Sequence, residues 1–153
     1  MPNTLLRLLG AVTLLLPLAA AAKPDPVSWT AAVHERQADG TIVLAVQARI
    51  ESKWYIYGMR QPEDGPFPLR FRGPAGSGIA VGPVQTPRPQ ISYDKGFRAR
   101  VGKHYNAPSF LVPVRMSRSS SSVAVEVRYQ ACNDDICLPP RTVTVQASLT
   151  TAR

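Results

Sequence analysis

The residues best suited to chemistry are the two cysteines of the chain, Cys132 and Cys137, which four residues separate. Two thiols this close can form a small disulfide ring if the loop folds back and brings the two Cα atoms to about 5.5 Å. Loop-closure stabilisation grows with ring size, so such a ring contributes little to the stability of a fold. A disulfide of this kind suits thiol–disulfide exchange, in which a thiolate attacks a disulfide and a second thiol resolves the mixed disulfide.

Spacing alone leaves a second interpretation open, because a plain loop staple is the commoner role of a cysteine pair in secreted domains. Other chemistries have little support. Two cysteines do not complete a four-ligand zinc site, and His34 and His104 show no ligand spacing relative to them. We expect both histidines at the surface, His34 in the first strand and His104 in a loop. Thiol–disulfide exchange uses no metal and no organic cofactor, so we expect none.

The N-terminal segment indicates export to an oxidising compartment. Residues 1–22 have the pattern of a secretory signal: Arg7 supplies the positive charge, residues 8–18 are largely apolar, and Ala20, Ala21 and Ala22 supply the small residues before a cleavage site. The apolar run is too short for a comfortable membrane span, which takes about 20 residues. We therefore expect a soluble mature chain from Lys23 to Arg153, in a space where disulfides form.

The length of residues 23–153 suits a single domain. The formal charge of the whole chain is +8, but the basic residues are scattered and form no run of five or six. This distribution indicates a solvated basic surface and argues against nucleic acid as a partner. The same charge can steer an acidic protein partner.

The elements that must position the cysteines are strands. Apolar and polar residues alternate through 41–50, 110–116, 123–129 and 143–149, no segment shows a helical period, and turn residues lie between these segments. The pattern predicts an all-β antiparallel sandwich with the cysteine loop at one end, between the last two of these strands. The serine run 119–122 is expected to form a hairpin tip. In the segment 54–57, alternation predicts Trp54 and Ile56 in the core, with Tyr55 and Tyr57 on the opposite face.

Several segments together resemble the N-terminal periplasmic domain of the DsbD family, the transmembrane conductors of thiol–disulfide reducing equivalents. The resemblance covers the chain from Val27 to about Leu149 and is carried by four segments: Trp54-Tyr55-Ile56-Tyr57, Gly65-Pro66-Phe67-Pro68, Tyr93-Asp94, and the run YQACNDDICLPP from Tyr129 to Pro140. The cysteine segment with its trailing Pro-Pro is the most specific of these, whereas the aromatic stretch alone is weak.

The resemblance implies an immunoglobulin-like fold and an electron relay. In that family the cysteine pair accepts electrons from a membrane-linked thioredoxin-like domain and reduces oxidised periplasmic partners, such as disulfide isomerases and cytochrome-c maturation thioredoxins. The expected protein is a periplasmic monomer and, if an enzyme, a protein-disulfide reductase. The sequence contains neither a multi-helix membrane domain nor a C-terminal thioredoxin domain, so the chain either works with separately encoded partners or is part of a longer one. The alternative is a noncatalytic secreted immunoglobulin-like binding module with a structural disulfide.

The resemblance also implies roles for individual residues. Cys132 and Cys137 match the redox pair, and Cys137 matches the sulfur that forms mixed disulfides with partners. Tyr55 and Tyr57 match the aromatic residues that flank the site. Asp94 matches the start of a cap loop whose aromatic tip shields the pair; this chain continues Lys95-Gly96-Phe97, which displaces the candidate shield, Phe97, by one position. Asp134 and Asp135 lie between the cysteines and are expected to disfavour a thiolate, so that reaction depends on a docked partner.

Overall fold

A computed structural model describes residues 25–150, so the predicted signal at 1–22 and the mature N-terminus at Lys23 lie outside the described residues. Within residues 25–150 the structure contains eleven strands and no helix long and apolar enough to cross a membrane. The strands are β1 (Val27–Arg36), β2 (Ile42–Ile50), β3 (Tyr55–Tyr57), β4 (Arg70–Arg72), β5 (Ile79–Val81), β6 (Gln90–Asp94), β7 (Ala99–His104), β8 (Ser109–Met116), β9 (Ser122–Tyr129), β10 (Ala131–Cys132) and β11 (Arg141–Ser148).

The strands form three antiparallel sheets, which confirms the predicted all-β fold. Two sheets have four strands, in the orders β1-β2-β8-β5 and β10-β3-β7-β6, and the third has three, in the order β11-β9-β4. In each of the four alternating segments, one set of side chains faces a common core. Leu44, Val46, Phe110, Val112, Val125 and Val127 are all 0% exposed. Burial of each such side chain contributes about 1.5–3 kcal/mol relative to exposure.

The serine run does not form the predicted hairpin. Strand β8 ends at Met116 and β9 begins at Ser122, but the two strands belong to different sheets. The segment between them therefore crosses from one sheet to another. The prediction was wrong because alternation shows only that a strand has one buried face. That pattern is the same whether the next strand pairs with it or lies across the core.

The sheet β10-β3-β7-β6 is covered on both faces near the cysteine loop. Ile56 of β3 packs in the main core, whereas Tyr55 and Tyr57 lie on the other face in a second cluster with Val101 and Cys132. We call this second cluster the cap cluster. It confirms the predicted division of the segment 54–57, with the partly buried Trp54 packed against the main core.

The two-sided burial also explains an error about the histidines. His34 is exposed in β1, as predicted. His104 is not a surface loop residue: it lies in β7, is 5% exposed and packs edge-on against Phe110, with ring centroids 5.2 Å apart. Burial lowers the pKa of His104 below its usual value.

Candidate functional site

The cysteine loop is a tight turn closed by a disulfide. Cys132 and Cys137 are bonded, with an S–S distance of 2.05 Å and their Cα atoms 4.1 Å apart. The Asn133 side-chain oxygen accepts hydrogen bonds from the Asp135 amide at 2.9 Å and the Ile136 amide at 2.8 Å, and the Asn133 amide donates to the Ile136 carbonyl. An Asn side chain that accepts hydrogen bonds from the backbone two and three residues further on forms an Asx turn, which fixes the shape of this loop.

The loop is anchored at its exit by Gln130. Its side-chain amide donates to the Leu138 carbonyl at 3.2 Å, while its side-chain oxygen accepts from the Phe67 amide at 3.2 Å. One side chain thus joins the exit of the cysteine loop to the Gly-Pro-Phe-Pro segment. Together with the Leu138 amide, which donates to the Ala131 carbonyl, it fixes the position of the loop on β10.

The two sulfur atoms have very different surroundings. Cys132 pairs with Tyr55 across β10 and β3 and is 0% exposed within the cap cluster. Cys137 is exposed and lines an open cavity of about 420 Å³. Tyr57 Oη lies 3.9 Å from Cys137 Sγ. An incoming disulfide therefore has access to the second sulfur, while the first is covered by protein.

The structure brings all six sequence-predicted site residues together. Tyr55, Tyr57, Asp94, Phe97 and Cys137 line this cavity, and Cys132 lies beneath it. The half-buried Phe97 packs against the cap cluster, with its ring edge-on to Tyr57 at a centroid distance of 5.9 Å. Tyr55 Oη donates to the Asn133 carbonyl at 3.5 Å, which links β3 to the cysteine loop.

Asp94 organises the turn that carries Phe97. Its Oδ1 accepts hydrogen bonds from the Gly96 amide at 3.0 Å and the Phe97 amide at 3.4 Å, while its Oδ2 accepts from Tyr57 Oη at 3.0 Å. Burial opposes ionisation of Asp94, but hydrogen bonds from Lys103 and Tyr57 outweigh it and hold the pKa of this carboxyl below its usual value. Burial, with the neighbouring Tyr55 and Asp94, raises the pKa of Tyr57, which keeps its proton at neutral pH.

Lys103 is the site residue that the sequence analysis missed. It lies in β7, is 8% exposed, and its Nζ sits 3.0 Å from Asp94 Oδ2 and 4.1 Å from the centroid of the Tyr55 ring. Burial alone would lower the pKa of Lys103, but the hydrogen bond to Asp94 outweighs burial and raises it. The available signal was register: Ala99, Val101 and Lys103 share one face of a strand.

Exposed apolar side chains surround the accessible sulfur. Tyr93 is 60% exposed and Ile136 is 48% exposed, and both line the cavity beside Cys137. Tyr105 packs on Tyr55 just outside it, with ring centroids 5.5 Å apart. Exposed aromatic and aliphatic groups around a reactive atom are typical of a protein-docking surface. No group of three or more potential metal ligands occurs in residues 25–150.

Comparisons with known proteins identify the family and the fold of this chain. The family model described as "Thiol:disulfide interchange protein DsbD, N-terminal" matches residues 21–149. The chain is similar in fold to the Neisseria meningitidis DsbD N-terminal domain in its reduced form, with a TM-score of 0.54 and 14% identity over 78% of this chain and 83% of that one. No curated protein matches the chain significantly.

Two further solved structures share the fold. One is the complex between the DsbD and PilB N-terminal domains of Neisseria meningitidis, with a TM-score of 0.51 and 17% identity over 77% of this chain and 79% of that one. The other is the N-terminal periplasmic domain of ScsB from Proteus mirabilis, with a TM-score of 0.54 and 15% identity over 80% of this chain and 45% of that one. These likenesses confirm the immunoglobulin-like sandwich. The chain belongs to the family of DsbD N-terminal domains, periplasmic domains that take part in thiol–disulfide exchange with thioredoxin-fold partners.

Proposed function

We propose that this domain relays electrons from a membrane-linked donor to oxidised thioredoxin-fold partners through the Cys132–Cys137 pair. The observation that carries the proposal is the difference between the two sulfur atoms: Cys137 is exposed in a cavity, and Cys132 is 0% exposed beneath it. A staple needs no such difference. An exchange centre does, because a partner must reach one sulfur while the other waits to resolve the mixed disulfide.

The exchange proceeds in two displacements. In the reduced domain, the Cys137 thiolate attacks a sulfur of the partner disulfide; an intermolecular S–S bond forms, and the other partner sulfur leaves as a thiolate and is protonated. The Cys132 thiol then loses its proton and attacks Cys137 Sγ, which releases the second partner sulfur as a thiol. Two electrons and two protons pass to the partner, and the Cys132–Cys137 disulfide is the product. A reduced donor restores the two thiols by the reverse sequence.

The remaining predicted residues form the cap in this proposal. Asp94 holds the turn, and Phe97 shields the sulfurs in at least one redox state. Tyr55 and Tyr57 of β3 flank the sulfurs and line the cavity beside Cys137. The neisserial complex of a DsbD N-terminal domain with the PilB N-terminal domain is a precedent for a domain of this fold binding a protein partner. We further propose that residues 1–22 direct export and that residues 23–153 act as a monomeric domain in the periplasm.

Trapping the mixed disulfide tests the proposal. A thioredoxin that retains only its nucleophilic cysteine is loaded as a mixed disulfide with 2-nitro-5-thiobenzoate, whose release is followed by absorbance. We expect Cys132→Ser to release the dye and to give a covalent complex on a nonreducing gel, because its remaining sulfur is the exposed one. Cys137→Ser is the matched control and should give no complex, because its remaining sulfur is buried.

The reduction potential of the wild-type pair separates the relay from the staple. A structural disulfide has a potential below about −300 mV, and a relay pair should lie well above that value. No adduct from either variant, combined with a potential below about −300 mV, would favour the noncatalytic binding module.

A further inference from the structure

A buried ion pair lies beside the exposed sulfur, and the exchange steps above do not use it. Lys103 Nζ is 3.0 Å from Asp94 Oδ2, and the two side chains are 9% and 10% exposed. Among residues 25–150, Lys103 is the only buried lysine or arginine. Removing two charges from water commonly costs as much as their attraction returns, so a buried pair is weak evidence for a stabilising role. The position of this pair beside Cys137 indicates a role in the reactivity of that sulfur instead.

The carboxylate of the pair lies close to Cys137. Tyr57 Oη is 3.0 Å from Asp94 Oδ2 and 3.9 Å from Cys137 Sγ, so this carboxylate oxygen is within about 7 Å of the sulfur. A negative charge at such a distance disfavours a second negative charge, here the Cys137 thiolate. The same carboxylate is needed where it is, because it holds the turn that carries Phe97. Asp94 thus supports the geometry of the site and opposes its chemistry.

The other groups that face the sulfur do not remove this conflict. The charged residues of the cavity are Asp94, Asp134 and Asp135 against Lys95 and Lys103. Asp134, Asp135 and Lys95 are exposed, so water and salt screen their charges. Tyr55, Tyr57 and Tyr93 complete the lining, and a tyrosine side chain carries no positive charge that could offset Asp94. Lys103 is therefore the one cavity cation whose charge acts with little screening.

We propose that Lys103 is a positioning residue that offsets the charge of Asp94, so that the carboxylate can hold the cap turn without suppressing the Cys137 thiolate. The Tyr55 ring keeps the ammonium in place, since Nζ lies 4.1 Å from its centroid and a cation is attracted to an aromatic face. The inference deepens the proposed function, in which Cys137 is the reacting sulfur. It means that a residue of strand β7 affects the reactivity of Cys137, which lies in the cysteine loop.

The test measures the thiol pKa of Cys137 from the pH dependence of iodoacetamide alkylation, in a Cys132→Ala background that leaves a single thiol. Lys103→Met should raise this pKa by about one unit, which is a tenfold loss of thiolate below the pKa. Lys95→Met is the matched control, because it removes the same charge from the exposed rim of the same cavity, and it should shift the pKa by only a few tenths of a unit.

A double variant separates charge balance from simple damage. Asp94→Asn should lower the Cys137 pKa by about one unit, because it leaves the Lys103 cation unopposed. The pair Asp94→Asn with Lys103→Met should return the pKa close to the starting value, which a merely structural role would not do. An unchanged pKa in Lys103→Met, or an equal shift in Lys95→Met, would overturn the proposal.

If circular dichroism shows that Lys103→Met is unfolded, the Cys137 pKa in Asp94→Asn is the deciding measurement. A lowered pKa supports the proposal, and an unchanged or raised pKa overturns it. Alkylation requires no protein partner, so its outcome is independent of the mixed-disulfide test of the proposed function. A domain that traps a partner but shows no Lys103 effect would retain the relay and lose only this inference.

Discussion

The disulfide can be removed by replacing either cysteine with serine, and the two replacements should lower the stability of the domain by unequal amounts. Cys137→Ser replaces an exposed sulfur with a hydroxyl that water can satisfy, so it removes only the ring. Cys132→Ser removes the same ring but leaves a hydroxyl at a position that is 0% exposed, among Tyr55, Tyr57 and Val101. A buried hydroxyl without a partner costs the free energy of its lost hydration. Cys132→Ser should therefore be the less stable variant.

The expected magnitudes follow from ring size and burial. The two cysteines are separated by 5 in sequence. Loop-closure entropy for so small a ring corresponds to about 2 kcal/mol at 25 °C, compared with about 3 kcal/mol for a 15-residue loop. The unsatisfied hydroxyl adds about 1–3 kcal/mol. We expect Cys137→Ser to lower the free energy of unfolding by about 2 kcal/mol and Cys132→Ser to lower it by about 3–5 kcal/mol.

Urea unfolding of oxidised wild type, reduced wild type and the two serine variants measures these differences, with equal m-values as the check that the transitions are comparable. Cys132→Ala is a useful third variant: it lacks the hydroxyl and should lose less stability than Cys132→Ser. A loss above about 4 kcal/mol in Cys137→Ser would contradict the small-ring argument and favour a staple. Equal losses in the two serine variants would contradict the difference in burial.

Two further predictions concern the cap and the buried histidine. Phe97→Ala should speed the reaction of reduced Cys137 with a small thiol reagent several-fold, whereas Phe67→Ala, outside this cavity, should not; an unchanged rate for Phe97→Ala would mean that this ring is not the shield. Burial holds the pKa of His104 below its usual 6.5, so the unfolded chain takes up the proton first and stability should fall as pH decreases below 6.5. Urea midpoints measured against pH should lose that slope in His104→Gln and keep it in His34→Gln, because His34 is exposed.

Strands with one buried face and one solvent-exposed face were predictable from the sequence. The alternation in 123–129 placed Val123, Val125, Val127 and Tyr129 in the core, and all four are at most 1% exposed. The division of Tyr55 and Tyr57 from Ile56 followed from the same period of two. The resemblance to DsbD domains, not the alternation, pointed to Asp94 and Phe97, which the fold brings into the cavity with Cys137.

Strands with two covered faces were not predictable in this way. The last four residues of β7, from Val101 to His104, are all buried, so the strand has no polar alternation. A lysine and a histidine in a short segment rich in turn residues indicate a surface loop, which is where His104 was expected. The second cover on β7 is the cap cluster, and its position depends on the turn between β6 and β7 and on the cysteine loop, which lies about 30 residues further along the chain. Local sequence carries no information about such a cover.

The burial of Lys103, which the sequence analysis missed, and the shielding of Cys132 have the same physical origin. Cys132 can be shielded only if a second layer lies over the sheet, and that layer also removes water from the polar end of β7. Lys103 then needs a buried partner, because an unpaired ammonium would be costly there. Asp94 is that partner, and it is also the residue that holds the cap turn. The shielding of Cys132, the burial of Lys103 and the turn held by Asp94 are therefore coupled. A change to any one of them should alter the pKa or the reaction rate of the Cys137 thiol.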